Sequence, residues 1–82
     1  MYSLSDLETF IAVVENQGVV AAAKAQGLSP ATVSHRLSKL EKALSTVLIF
    51  RDSRRIRLSP AGDVFYQRAS AILEALYDAE HQ

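Results

Sequence analysis

No cysteine occurs in the 82 residues, which excludes a disulfide framework and any thiolate metal site. Two histidines without cysteine partners make a poor zinc site as well. No apolar run approaches the roughly 18 residues that a membrane-spanning helix needs. The opening, MYSLSDLETF, carries acidic residues where a secretory leader would be basic. The chain therefore reads as soluble and cytoplasmic. Nucleophilic chemistry is also poorly provided for. Ser34 and His35 are neighbours, but successive helical positions point about 100° apart, and no carboxylate is placed to orient the imidazole. Neither an enzyme nor a cofactor is expected.

What is present is an ordinary globular composition, 49% hydrophobic and 22% charged, enough for one small domain with a thin core. Formal charges cancel to zero, yet they are unevenly placed. Between Lys24 and Arg57, Lys24, Arg36, Lys39, Lys42, Arg51, Arg54, Arg55 and Arg57 face only Glu41 and Asp52, a net +6. Elsewhere Arg68 stands against Asp6, Glu8, Glu15, Asp63, Glu74, Asp78 and Glu80, a net −6. A positive end of this kind is the footprint of a polyanion partner, although a solvated basic face gives the same count.

Apolar spacing places a first helix over about Leu4–Asn16, with Leu4, Leu7, Phe10, Ile11 and Val14 on one stripe. Ser5 with Glu8 fits a capping box, and Gly18 is free to take the positive φ that ends the helix. A short alanine-rich helix follows over about Val19–Gln26, its small residues allowing close approach. Gly27-Leu28 turns the chain onto Ser29-Pro30, a serine cap followed by a proline at the first helical position. A third helix then runs from Pro30 to about Leu44. Two helices joined by a tight glycine-containing turn make a helix-turn-helix.

At 100° per residue, Val33, Leu37, Leu40 and Leu44 cluster on one side of the third helix. Ala31, His35, Ser38 and Lys42 lie opposite, flanked by Thr32, Ser34 and Lys39. That outward face is small near the N-terminus and basic beyond it, a shape suited to entering a groove.

Val47–Phe50 and Ile56–Leu58 read as short strands, and Asp52-Ser53 as the turn between them. A hairpin tipped by Arg51, Arg54 and Arg55 is a wing beside the helix-turn-helix. Ser59-Pro60 repeats the earlier cap and opens a last helix of about 35 Å. Its apolar positions Val64, Phe65, Ala69, Ile72, Leu73, Leu76 and Tyr77 cover more than one contact surface. Part of the helix is expected to bury against a second chain.

These residues, in this order, resemble the N-terminal DNA-binding domain of LysR-type transcriptional regulators. The likeness rests on LxxFIAVVE in the first helix, Ala22-Ala23, LSxxTVSxRLxxLExxL, the segment Leu48–Arg51, and RxxRLSPAG from Arg54 to Gly62. It implies a mainly α fold: a winged helix-turn-helix over 1–58, then a linker helix over 59–82 that pairs antiparallel in a homodimer. It further implies a C-terminal effector-binding domain beyond these residues, which would bind any small-molecule effector. Each subunit would set its third helix in the major groove of one half of an inverted-repeat operator, with the wing on adjoining backbone or minor groove. The implied DNA contacts are Ser29, Pro30, Ala31, Thr32, Ser34, His35 and Lys39, with Arg51, Arg54 and Arg55 on the wing. The implied site is the bacterial cytoplasm, at the nucleoid when bound.

Some positions depart from the family pattern. Pro30 stands where glutamine is common, and His35 where arginine is usual, so a two-pronged donor becomes a ring with one contact per nitrogen. Gln26 replaces a core leucine, Ser45 a glycine, and Gly18 and Val20 replace hydroxyl residues. The competing reading, a winged helix used only for docking another protein, would call for an apolar outward face on the third helix. Lys39 and Lys42 stand there instead.

Overall fold

The computed structural model describes residues 1–51 and 55–81. Helix α1 spans Leu4–Asn16. Its capping box lies two residues earlier than Ser5 and Glu8: Ser3 adopts the extended cap conformation and Asp6 is its partner. The Ser3 N–H donates to Asp6 Oδ2 at 2.9 Å, and the Asp6 N–H donates to Ser3 Oγ at 3.3 Å. Ser5 is already inside the helix and cannot cap it. The stripe is also rotated from expectation. Phe10 and Val13 are fully buried, whereas Leu4 is exposed.

At the C-terminal end Gln17 takes the left-handed turn, with φ 58°. The Gly18 N–H then closes onto the Val13 carbonyl at 3.1 Å. Gly18 itself is extended, so the turn expected of the glycine falls on its neighbour.

Helix α2, Val19–Gln26, buries Ala22 and Ala23 and leaves Ala21 and Ala25 outside. Gly27, at φ 67°, makes the turn, a conformation that costs glycine nothing. Helix α3 spans Pro30–Leu44, and Ser29 Oγ accepts the Thr32 N–H at 3.1 Å. Val33, Leu37 and Leu40 drive its inner face into a core shared with Phe10, Val13 and Leu48. Each such side chain contributes about 1.5–3 kcal/mol.

The second strand of the wing falls on the expected residues, whereas the first starts two residues later than expected. β1 is Ile49–Arg51 and pairs antiparallel with β2, Ile56–Leu58, in the register Ile49 to Leu58 and Arg51 to Ile56. Val47 and Leu48 are outside the ladder because other groups claim their backbone. The Leu48 N–H donates to Glu41 Oε2 at 2.8 Å, as does the Ile49 N–H at 3.2 Å. The Leu48 carbonyl accepts the Ser59 N–H at 2.9 Å, and the Val47 carbonyl accepts the Ser59 hydroxyl at 2.6 Å. The expected turn at Asp52-Ser53, together with Arg54, lies outside the described residues.

Ser59 Oγ also caps α4, Pro60–Glu80, by accepting the Gly62 N–H at 2.9 Å. The Phe65 ring lies 5.6 Å from that of Phe10 and the Tyr66 ring 6.4 Å, both tilted edgewise. Farther along, the Tyr77 hydroxyl donates to Glu8 at 2.7 Å and the Tyr66 hydroxyl to Glu15 at 3.3 Å. These contacts hold α4 along α1. Among the described residues no helix is long and apolar enough to cross a membrane.

Candidate nucleic-acid interface

Because Val33, Leu37 and Leu40 are buried, the opposite side of α3 must face solvent. Ala31, His35, Ser38 and Lys42 are exposed there, as the spacing predicts. Ser29 and Pro30 are exposed at its start, while Thr32 and Ser34 are half-buried on its flanks. The Thr32 hydroxyl is hydrogen-bonded to that of Ser29 at 2.9 Å, so the two hydroxyls form one polar unit at the positive end of the helix.

Lys39 is exposed and also ion-paired. Its ammonium lies 3.1 Å from Asp6 Oδ2, and the Asp6 side chain is only 2% exposed. Burial pushes the Asp6 carboxyl up, but the Ser3 backbone N–H and Lys39 outweigh it and hold the carboxyl below its ordinary 3.8. A buried carboxylate with these donors stays ionised. Lys39 is therefore a strut between α1 and α3 as well as a surface cation.

On the wing, Arg51 and Arg55 are exposed, and Arg54 lies outside the described residues. The Arg57 guanidinium sits 5.8 Å from the centre of the Phe50 ring, close enough for a cation–π contact. Glu41 fastens the root of this hairpin to α3 through the two backbone bonds already described.

The expected dimerisation set divides in two. Val64 is 53% exposed, Ile72 62%, Leu76 36% and Tyr77 42%. Ala69 and Leu73 are instead buried in the domain's own core, and Phe65 is half-buried against Phe10. A helix of this length presents two faces, and these residues occupy the inner one.

Several contributors escape a periodicity reading. Asp6, Thr9, Gln26, Arg36 and Glu41 all make inter-element polar contacts whose partners are 7 to 33 positions away. Asp6 left a local signal, since Ser3-x-x-Asp6 is itself a capping pattern. Among the described residues no cluster of three His, Asp or Glu side chains could hold a metal.

The same fold occurs in known proteins. The family profile described as bacterial regulatory helix-turn-helix protein, lysR family, matches residues 4–63. The probable HTH-type transcriptional regulator LtrA of Klebsiella pneumoniae is 38% identical over 76 residues, covering 93% of this chain and 25% of that protein. DmlR of Escherichia coli K12, an HTH-type transcriptional regulator, is 39% identical over 71 residues, 87% of this chain and 23% of that one. The chain thus spans about a quarter of the length of these curated relatives. Among solved structures, the BenM DBD in complex with benA site 1 DNA superposes with a TM-score of 0.92 at 32% identity, covering 96% of this chain and 89% of that one. The CbnR DBD–DNA complex gives 0.91 at 34% identity, covering 96% and 91%.

Proposed function

The chain belongs to the lysR family of bacterial regulatory helix-turn-helix proteins, and from that premise we propose that it is the DNA-reading part of a homodimeric transcriptional regulator. In this reading α3 enters the major groove of one operator half-site. Ala31, Thr32, Ser34 and His35 approach base edges, and Ser29, Pro30, Lys39 and Lys42 sit nearer the phosphates. Arg51, Arg54 and Arg55 of the wing lie on adjoining backbone or in the minor groove. The exposed face of α4 pairs with a second copy, so the target is an inverted repeat in the bacterial cytoplasm. Any effector binds elsewhere in the full regulator, and the domain itself carries out no chemistry.

The single observation that carries this reading is the composition of the solvent-facing side of α3. Ala31, His35, Ser38 and Lys42 are exposed and no large apolar side chain joins them. A helix meant to dock on another protein would bury leucine or phenylalanine there. A groove lined by phosphates accepts small residues close to the bases and cations beside them.

Selection from a random duplex library, followed by fluorescence anisotropy over a salt series, tests it. An inverted repeat should emerge, and log affinity should fall linearly with log salt. Arg51→Ala should weaken all duplexes alike and flatten that slope by about one. His35→Ala should instead shift base preference at one position of each half-site. Recovery of no enriched sequence, with salt-independent binding, would rule the proposal out.

A further inference from the structure

We propose that Thr9, Gln26 and Arg36 form a relay around the buried Thr9 hydroxyl that sets the pose of α3, so that Thr9 and Gln26 are positioning residues for sequence discrimination. The proposal rests on the DNA-binding reading above and adds to it two residues that touch no nucleic acid.

The Thr9 side chain, on α1, is fully buried. Its hydroxyl lies 2.9 Å from Gln26 Oε1 on α2 and 3.2 Å from Arg36 Nη1 on α3. The directions of these bonds follow from the groups themselves. A guanidinium can only donate, so Thr9 accepts from Arg36 with a lone pair. Its single proton is then left for the Gln26 carbonyl oxygen, which orients that amide with its oxygen inward. One oxygen atom therefore joins all three helices of the helix-turn-helix.

Apolar packing of Val33, Leu37 and Leu40 keeps α3 in place but discriminates weakly between small rotations about its axis. Hydrogen bonds fall off steeply with angle, most of all in a low-dielectric interior. Arg36 directly follows His35 and lies two positions before Ser38, so what holds Arg36 holds the reading face. A rotation of about 10° would move side-chain tips by roughly 1 Å on a helix whose full radius is about 5–6 Å. That is comparable to the tolerance of a base-edge hydrogen bond.

A second rung lies beside the first. Asp6 is three positions before Thr9 on α1, and its partner Lys39 is three positions after Arg36 on α3. Two polar rungs between the same pair of helices resist twisting, where one would act as a pivot.

The test measures affinity for the selected operator and for a scrambled duplex at one salt concentration, with a thermal melt of each variant. Thr9→Val keeps the side-chain shape and removes the hydroxyl, and Gln26→Leu removes the acceptor at a half-buried position that accepts an apolar side chain. Each should lower the operator-to-scrambled affinity ratio by roughly threefold to tenfold. Thr9→Ser and Gln26→Glu, which keep the hydroxyl and the acceptor, should hold the wild-type ratio. A purely structural role would move the melts and leave the ratio alone, and that outcome overturns the proposal. Wild-type chain with no preference for any duplex would overturn the DNA reading itself, a result distinguishable because it precedes any substitution.

Discussion

Three residues make the smallest scale concrete. Gly62 has no Cβ because one would collide with the backbone carbonyl of Leu48, and backbone cannot move aside cheaply. Gly62→Ala should cost about 1–3 kcal/mol or more and lower the melting temperature by roughly 10 °C, as calorimetry would show. Asp6 gives stability a pH dependence. Its carboxyl titrates below its ordinary 3.8 because the Ser3 N–H and Lys39 override burial. A depressed carboxylate contributes stability fully above the ordinary value and loses it as pH falls through the folded-state value. Melting temperature should therefore drop on acidification below about pH 4, and Asp6→Asn should flatten that part of the profile. Gln26, read from sequence as a stray polar residue in place of leucine, turns out to accept a hydrogen bond from a buried hydroxyl.

At the scale of elements, helix positions were legible and strand positions less so. Leu4–Asn16, Val19–Gln26 and Pro30–Leu44 follow from apolar spacing, and the start of the third from its Ser29 cap, signals that sit within a few residues of the ends they mark. The wing depended on distant partners. Glu41 on α3 takes the N–H groups of Leu48 and Ile49, which starts β1 two residues later than β-propensity suggests. A carboxylate 7 or 8 positions away leaves no periodic trace. Glu41→Ala would strand two backbone donors and should cost about 1–3 kcal/mol. It should also loosen the hairpin before the rest of the domain, which hydrogen exchange at Leu48 and Ile49 would reveal. Glu41→Gln, with its acceptor intact, should lose less.

For the whole molecule, α4 is the element that reaches beyond the core, in a body of 42 × 27 × 22 Å. Leu73 and Ala69 belong to the domain, whereas Ile72 is 62% exposed and Val64 53%. Neighbouring positions thus lie on different faces of α4. Ile72→Glu should leave the thermal stability of the isolated domain within about 0.5 kcal/mol, yet lower the dimer fraction in sedimentation and weaken binding to an inverted repeat. Leu73→Ala should cost about 2–5 kcal/mol by opening a cavity. An Ile72→Glu chain that sediments unchanged and binds as before would show that this face of α4 is not a dimer surface.

Sequence alone determined the order of elements, the caps of α3 and α4, and which side of α3 faces water. Those properties depend on residues a few positions apart, where helical geometry is the only ruler needed. Tertiary structure decided that Lys39 is bound to a buried carboxylate, that Thr9 joins three helices through one oxygen, and which apolar residues of α4 the domain keeps for itself. Each of those outcomes depends on what another helix brings into reach, and directional hydrogen bonds and close packing register that only once the chain has folded.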